Sequence, residues 1–316
     1  MKVPHPIQYQ GSKRNLASMI LRFFPKKFTR LVEPFAGSAA ISIACAARGK
    51  ANLYWINDLN KPLAELLTLI INNPAELADD YETIWNQQHD DSLKHYYRVR
   101  DNFNRTKDPG LFLYLLARCV KGSIRYNAEG LFNQSPDNRR HGTIPATMRE
   151  NIFGVSALLK GKSVISSLDY KDVLSNVNED DVVYMDPPYQ GVCGERDARY
   201  LSGISYDEFA SALSELNERQ IRYAVSYDGH TGNKSFGKLL PDYLSLTLIE
   251  LEAGRSSQAT LLGRNVVTIE SLYLSPRLAI EVSASPYFHR KHHFKQLDLM
   301  ESKGYYAPQK ISETIS

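Results

Sequence analysis

The chain has 316 residues, 43% of them hydrophobic, and a formal net charge of +3. This length supports one large domain or two smaller ones, and the mild positive charge permits a nucleic-acid partner without requiring one. The start, "MKVPHPIQYQGSK", lacks an apolar signal region, and no run of 18 apolar residues follows. The three cysteines are far apart, without zinc or redox spacing. We therefore expect a soluble, cytoplasmic protein.

Outside residues 74–163, the chain alternates between predicted strands and helices up to about residue 276. The segment "YQGSK", residues 9–13, precedes an apolar helix, "LASMILRFF". Two strand–turn–helix units follow, in "RLVEPFAGSAAISIACAARG" and "NLYWINDLNKPLAELLTLI". Later strands are predicted in "SVISSLDY", "DVVYMDPPY", "IRYAVSYD", "LSLTLIEL" and "VVTIESLYL". Strands that alternate with helices indicate a parallel α/β sheet.

Residues 74–163 interrupt this alternation. Two predicted helices, "SLKHYYRVRDNFNRT" and "PGLFLYLLARCV", lead into the turn-rich, basic stretch "KGSIRYNAEGLFNQSPDNRRHGTIP". This composition predicts a second lobe, and a solvated surface loop remains the alternative.

Two acids follow the first two strands of the predicted sheet. Glu33 leads into a turn with Phe35 and Gly37, and Asp58 ends the next strand about 20 residues later. Glycine lets the backbone approach a ligand, and acids at this spacing bind ribose hydroxyls in nucleotide-binding folds. Lys13, at a helix start, is interpreted as a ligand for a carboxylate. An ordinary turn and a surface lysine remain the alternatives for these two features.

The strand "VVYM" ends in Asp186, Pro187, Pro188 and Tyr189. The prolines force an extended backbone, so a carboxylate and a backbone carbonyl lie side by side at the carboxyl edge of the sheet. Both groups accept hydrogen bonds, and Tyr189 adds a flat stacking face. The matching ligand is a planar base with an amino group, and a plain proline turn remains the alternative.

Several motifs occur in one consistent order between about residues 5 and 276. They comprise Tyr9, Gly11 and Lys13; Pro34, Phe35 and Gly37; Asp58 and Asn60; Arg125, Tyr126, Asn127, Gly130, Phe132 and Asn133; Asp186 to Tyr189; and "RSSQ" at 255–258. In this combination the chain resembles the Dam-like, D12 class of DNA adenine-N6 methyltransferases. Each motif alone is weak, but together they are highly specific.

The resemblance implies a Rossmann-like methyltransferase fold with an inserted, mainly helical DNA-recognition lobe. It implies a catalytic domain at 1–73 and 164–276 and a recognition domain at 74–163. Beyond residue 276 the resemblance ends, and residues 277–316 are interpreted from their composition as a basic C-terminal extension. The resemblance also implies methyl transfer from S-adenosyl-L-methionine to N6 of an adenine flipped out of duplex DNA, without a metal. The expected context is prokaryotic or phage-encoded, and a separate restriction endonuclease as partner is left open.

The resemblance assigns residues to three roles. Catalysis would involve Asp186, Pro187, Pro188 and Tyr189. Binding of the methyl donor would involve Tyr9, Gly11, Lys13, Glu33, Phe35, Gly37, Asp58, Asn60, Asp169, Tyr170 and Asp186. DNA binding would involve Lys121, Arg125, Tyr126, Asn127, Asn133, Arg139, Arg140, Arg255, Ser256 and Ser257.

Two departures from the family pattern affect these expectations. Ala39 replaces the second glycine of the turn, and its small side chain should preserve donor binding. Lys121 lies in a Val-Lys-Gly segment where relatives have Tyr-Asn-Gly, so we expect a recognition site that is not simply GATC. Arg125 is the best candidate for a bidentate guanine contact, so we expect a guanine near the target adenine. An RNA adenine methyltransferase or a non-catalytic DNA-binding protein remains an alternative. Asp186 argues against a protein glutamine methyltransferase, which usually has Asn there.

Overall fold

The computed structural model describes residues 2–188, 204–231, 234–236, 239–255 and 267–284. Within these ranges, one mixed sheet of eight strands forms the centre of the molecule. The strands are β1 (Phe28–Glu33), β2 (Ala51–Asn57), β3 (Ser163–Ser166), β4 (Asp181–Met185), β5 (Arg222–Thr231), β6 (Lys234–Phe236), β7 (Thr247–Arg255) and β8 (Val267–Leu274).

The strand order is β3-β2-β1-β4-β5-β8-β7, with β6 paired to β5. Strands β1 to β5 are parallel, which confirms the predicted α/β sheet in that part. Strands β6, β7 and β8 pair antiparallel to their neighbours, so the prediction of a parallel sheet is wrong for this part of it. The strand order reverses between β1 and β4, and such a reversal leaves a crevice at the carboxyl ends of the strands.

The described residues form ten α-helices. They are α1 (Ala17–Ile20), α2 (Ala40–Ala47), α3 (Lys61–Asn72), α4 (Pro74–Asn86), α5 (Ser92–Thr106), α6 (Pro109–Arg118), α7 (Pro145–Leu159), α8 (Tyr170–Ser175), α9 (Tyr206–Glu218) and α10 (Pro276–Ser283). The predicted helix "LASMILRFF" was too long. Only α1 is α-helical, and a 3-10 turn lies on each side of it. The helical segment ends at Phe23, because Phe24 precedes Pro25 and is therefore extended.

Apolar side chains cover both faces of the sheet. In β1, Leu31 packs in one buried cluster and Val32 packs in another on the opposite face. In β4, Val182 and Val183 alternate in the same way. Because successive side chains of a strand point to opposite faces, a continuously apolar strand such as β4 belongs between two helical layers.

Helices α4 to α7 and the irregular segment 119–144 occupy the stretch predicted to form a second lobe. Helices α6 and α7 pack against α3. Their side chains, including Phe112 and Ile152, belong to the same buried cluster as Ile56 of β2. This stretch is mainly helical as expected, and its core is continuous with that of the sheet. No helix among the described residues is long and apolar enough to cross a membrane.

Candidate active site

A cleft of about 360 Å³ lies at the carboxyl ends of β1, β2 and β4. This volume lies within the range of small-molecule sites. The residues expected from the resemblance to bind the methyl donor all line it. They are Tyr9, Gly11, Lys13, Glu33, Phe35, Gly37, Asp58, Asn60, Asp169, Tyr170 and Asp186. Pro187 and Pro188 line the same cleft, so the donor and catalytic motifs converge there.

The turn after β1 is shaped by Gly37. Its φ of +51° lies in the left-handed region, and a Cβ atom there would lie 2.9 Å from Cε1 of Tyr9. Glycine therefore allows the Tyr9 ring to pack directly on the backbone of the turn. This contact joins the N-terminal motif to the first strand–turn–helix unit.

Asp58 fixes the same turn from the end of β2. Its Oδ2 accepts a hydrogen bond from the Gly37 amide at 2.8 Å, and its Oδ1 accepts one from the Asn60 amide at 2.9 Å. Burial raises the pKa of Asp58 against the lowering effect of these two amides. Asp58 is therefore a structural part of the cleft as well as its predicted ribose ligand.

Glu33, the last residue of β1, is 2% exposed. Its Oε2 accepts hydrogen bonds from the amide of Ser42, at 2.9 Å, and from the Ser42 hydroxyl. Burial raises the pKa of Glu33 to about 7, although the Ser42 contacts act in the opposite direction. The cleft thus contains a carboxyl group that changes charge near neutral pH.

Lys13 contacts two acids across the cleft. Its Nζ lies 3.0 Å from Oδ1 of Asp186 and 3.4 Å from Oε2 of Glu270. Burial lowers the pKa of Lys13, but Asp186 and Glu270 outweigh burial and the net shift is upward. The lysine is therefore a fixed cation. One of its two partners is the predicted catalytic acid, and its contact with the carboxylate of the methyl donor stays a prediction.

Aromatic rings form another wall of the cleft. The ring centroids of Phe35 and Tyr170 lie 5.3 Å apart, and both rings contact Phe209 of α9. Asp169 begins α8, where its Oδ1 accepts a hydrogen bond from the Lys171 amide at 2.9 Å. A flat, apolar wall bordered by an acid suits the predicted site for the donor's adenine.

Sequence reasoning missed two residues of this region. Glu270 lies on β8, far from Lys13 in sequence, and no local pattern marks it. Asn57 is fully buried directly before Asp58, where its amide hydrogen-bonds to Pro34 and Leu168. A polar residue that ends an apolar strand was the available signal for Asn57.

Residues 9–256 match the profile of the D12 class of N6 adenine-specific DNA methyltransferases. This chain belongs to that family. The match covers most of the chain and both parts of the cleft, the donor motifs and the Asp186 loop. It also agrees with the Rossmann-like arrangement of β1 to β5.

Similar proteins include methylases from an archaeon and from bacteria. The type II methyltransferase M.MjaIII of Methanocaldococcus jannaschii is 25% identical, over 66% of this chain and 75% of its own. The DNA adenine methylase of Haemophilus influenzae is 26% identical, over 70% and 78% respectively. The retron Ec67 DNA adenine methylase of Escherichia coli is 27% identical, over 71% and 74%.

The family's recognition motif forms a hairpin-like turn in this D12-class chain. Tyr126 and Phe132 form an isolated antiparallel bridge, and Asn127 Oδ1 accepts a hydrogen bond from the Leu131 amide at 2.8 Å. Arg125 and Asn133 are exposed on either side of the bridge. The turn therefore presents these two side chains to solvent, as a predicted DNA contact requires.

Tyr126 differs from its neighbours because only 8% of it is exposed. Asn60 Nδ2 donates a hydrogen bond to its hydroxyl at 3.0 Å, within reach of the cleft. The residue expected to touch DNA thus also connects the turn at 126–132 to the cleft. Its contact with DNA stays a prediction.

The other predicted DNA contacts lie in three places. Lys121, Arg139 and Arg140 are exposed, and both arginines pair with Asp137 at 3.1 and 3.4 Å. The backbone of Arg255 ends β7. Tyr189, Ser256 and Ser257 lie outside the described residues, so their roles stay predictions.

Proposed function

We propose that this D12-class methyltransferase binds S-adenosyl-L-methionine in the cleft and methylates N6 of an adenine flipped out of duplex DNA. The observation that carries the proposal is the convergence of the two motif groups. Asp186 and Pro187 line the same cleft as Gly37 and Asp58. An acceptor pair suited to an amino group thus lies beside a turn suited to a nucleoside.

The residues of the cleft fit this donor. It carries a sulfonium and an ammonium group, and Asp58 and Asp186 supply carboxylates around the cleft. The aromatic wall of Phe35 and Tyr170 suits its adenine ring. When bound, S-adenosyl-L-methionine supplies an electrophilic methyl group.

Asp186 and Pro187 would act on the target base. The lone pair of an adenine amino group is delocalised into the ring, which makes N6 a poor nucleophile. The Asp186 carboxylate and the Pro187 carbonyl would accept one hydrogen bond each from this amino group and favour a pyramidal nitrogen. Most of the acceleration then comes from orientation, because the amine is held with its lone pair directed toward the methyl group.

Lys13 would position the acid for this task. With its Nζ 3.0 Å from Oδ1, it restrains the Asp186 side chain before any base enters. A restrained acceptor loses less conformational entropy when the amino group binds. The base must leave the duplex to reach the cleft, and Tyr189 is the residue we expect to stack on it.

The test is methyl transfer by purified protein to duplex DNA, with base-resolution mapping of N6-methyladenine and duplex RNA in parallel. We expect N6-methyladenine in DNA only, at a defined sequence. The Asp186→Ala variant should still bind duplex DNA but should lose methyl transfer. Transfer to RNA alone would favour the RNA alternative, and near-normal turnover by Asp186→Ala would contradict the mechanism.

A further inference from the structure

Asn57 occupies the junction of three strand ends below the cleft. It is the last residue of β2, and none of its surface is exposed. Its side chain makes four hydrogen bonds, to Pro34 after β1, to Leu168 after β3 and to Ser166, the last residue of β3. Nδ2 donates to the carbonyl oxygens of Pro34 and Leu168, both at 3.0 Å. Oδ1 accepts from the Leu168 amide at 2.8 Å and from the Ser166 hydroxyl at 2.7 Å.

The orientation of this side-chain amide is determined by its neighbours. The Leu168 amide can only donate, so the atom that faces it must be Oδ1. The two carbonyl oxygens can only accept, so the atom between them must be Nδ2. All the hydrogen-bonding capacity of this side chain is therefore used, and the amide cannot be inverted without breaking several contacts.

These contacts connect two segments that line the donor cleft, 34–37 and 168–170, and each segment is called a wall below. The carbonyl of Pro34 belongs to the turn that continues to Phe35 and Gly37. The main-chain carbonyl of Asn57 accepts a further hydrogen bond from the Ala36 amide of the same turn, at 2.8 Å. Leu168 leads directly into the other wall, at Asp169 and Tyr170. Ser166 extends the network, because its hydroxyl also accepts from Trp55 Nε1 at 2.8 Å.

We propose that Asn57 is a positioning residue that sets the separation of the two walls which grip the methyl donor. The proposal rests on the function proposed above. Asn57 itself is not one of the residues that line the cleft. It acts through Pro34 and Leu168, whose neighbours line the cleft.

The substitution Asn57→Asp tests this role with little change in shape. It would place a carboxylate oxygen where Nδ2 now lies, 3.0 Å from two carbonyl oxygens. The repulsion should separate the walls, because an oxygen there cannot donate to either carbonyl. We expect the affinity for S-adenosylhomocysteine, measured by calorimetry, to fall by about tenfold or more.

A second amide provides a matched control. Asn104 Nδ2 donates to the Phe132 carbonyl at 2.9 Å, and its Oδ1 accepts from the Phe132 amide at 2.7 Å. Asn104 thus binds both backbone groups of Phe132, just as Asn57 binds both backbone groups of Leu168. Phe132, however, lies in the recognition turn. Asn104→Asp should leave the affinity for S-adenosylhomocysteine within about twofold of wild type, since it lies outside the donor walls.

Kinetics separate positioning from general destabilisation. In Asn57→Asp, the donor KM should rise while kcat at saturating donor and DNA stays within about threefold of wild type. If that variant does not fold, Ser166→Ala removes one donor to Oδ1 and should weaken S-adenosylhomocysteine binding by about threefold. Wild-type affinity in Asn57→Asp, or in Ser166→Ala if it alone folds, overturns the proposal. Wild-type protein that binds no S-adenosylhomocysteine would instead refute the proposed function.

Discussion

Nζ of Lys13 lies 3.0 Å from Oδ1 of Asp186, and the same ammonium lies 3.4 Å from Oε2 of Glu270. The lysine is 7% exposed, whereas the two acids retain 20% and 23% exposure. One buried cation is thus shared by two carboxylates, and the group of three carries a net negative charge. In the mechanism proposed above, the adenine nitrogen becomes transiently positive beside Asp186, and this negative charge would stabilise that stage.

Removal of the Lys13 charge should expose the repulsion between its two partners. We expect Lys13→Met to lower the free energy of unfolding by about 2 kcal/mol, because two partly buried carboxylates lose their common cation. Urea unfolding measures this change. The double variant Lys13→Met with Glu270→Gln should recover about half of the loss. If the double variant is no more stable than Lys13→Met, Glu270 is not coupled to the lysine.

This three-residue group also shows how far the sequence could lead. Local patterns predicted the strand ends at Glu33, Asp58 and Asp186, because apolar runs that stop at an acid are visible in the sequence. The pairing of Lys13 with Glu270 joins the first turn of the chain to its last strand. No periodicity reports a contact over that separation, and the antiparallel addition of β8 that creates it was not predicted.

Asn57 shows a different limit. Its position at the end of a predicted strand was visible, but its four hydrogen bonds depend on the register of β2 beside both β1 and β3. Register is decided by the packing of whole strands and not by the residue itself. Burial of Tyr126 similarly follows from its packing on Phe132 and Asn60, and a motif that only marks DNA recognition does not reveal it.

Glu33 should make stability depend on pH in a direction opposite to that of most acids. Its pKa in the folded protein is about 7, against an ordinary value of 4.5. Between these values the folded state binds more protons than the unfolded state, so its contribution to stability is present below the lower pKa and is lost as pH rises through about 7. We therefore expect the free energy of unfolding of the wild type to fall by about 3 kcal/mol relative to that of Glu33→Gln as the pH rises from about 5 to about 8.

Unfolding free energies of the wild type and Glu33→Gln at both pH values provide the measurement. Glutamine keeps an acceptor for the Ser42 amide and hydroxyl, so the comparison isolates the charge. Parallel pH profiles for the two proteins would show that Glu33 remains ionised throughout.

Ala39, which replaces a family glycine, has a strained backbone conformation in the folded protein. Its φ of 53° and ψ of 34° are left-handed, a conformation that costs an alanine about 1–2 kcal/mol. Ala39→Gly would remove this strain but would lose a buried methyl group and make the unfolded chain more flexible. We expect these effects to cancel within about 0.5 kcal/mol.

The adjacent residue in α2 is the matched control for Ala39. Ala40 is also buried, and as the first helical residue it has no left-handed strain to release. Ala40→Gly should therefore destabilise the protein by about 1–2 kcal/mol. Equal losses for the two substitutions, measured by thermal or urea unfolding, would mean that Ala39 carries no strain.

DNA sequence preference should depend on Arg125 and not on Lys121. Arg125 is exposed beside the bridge of Tyr126 and Phe132, which holds its backbone in place. A guanidinium fixed in this way can pair with O6 and N7 of guanine, worth about 1–3 kcal/mol of discrimination. We expect Arg125→Ala to relax the preference at one base pair in a methylated library of randomised duplexes.

Lys121 is the comparison for that experiment. It is exposed in a left-handed turn before Gly122, whose carbonyl accepts a hydrogen bond from the Gln10 amide at 3.0 Å. A flexible ammonium favours phosphates over base edges, so Lys121→Ala should weaken binding to all sequences alike and reduce the salt dependence by about one phosphate contact. Arg22→Ala, an exposed charge outside the recognition segment and the cleft, controls for net charge. If Lys121→Ala alters the sequence profile while Arg125→Ala leaves it unchanged, the two roles are reversed.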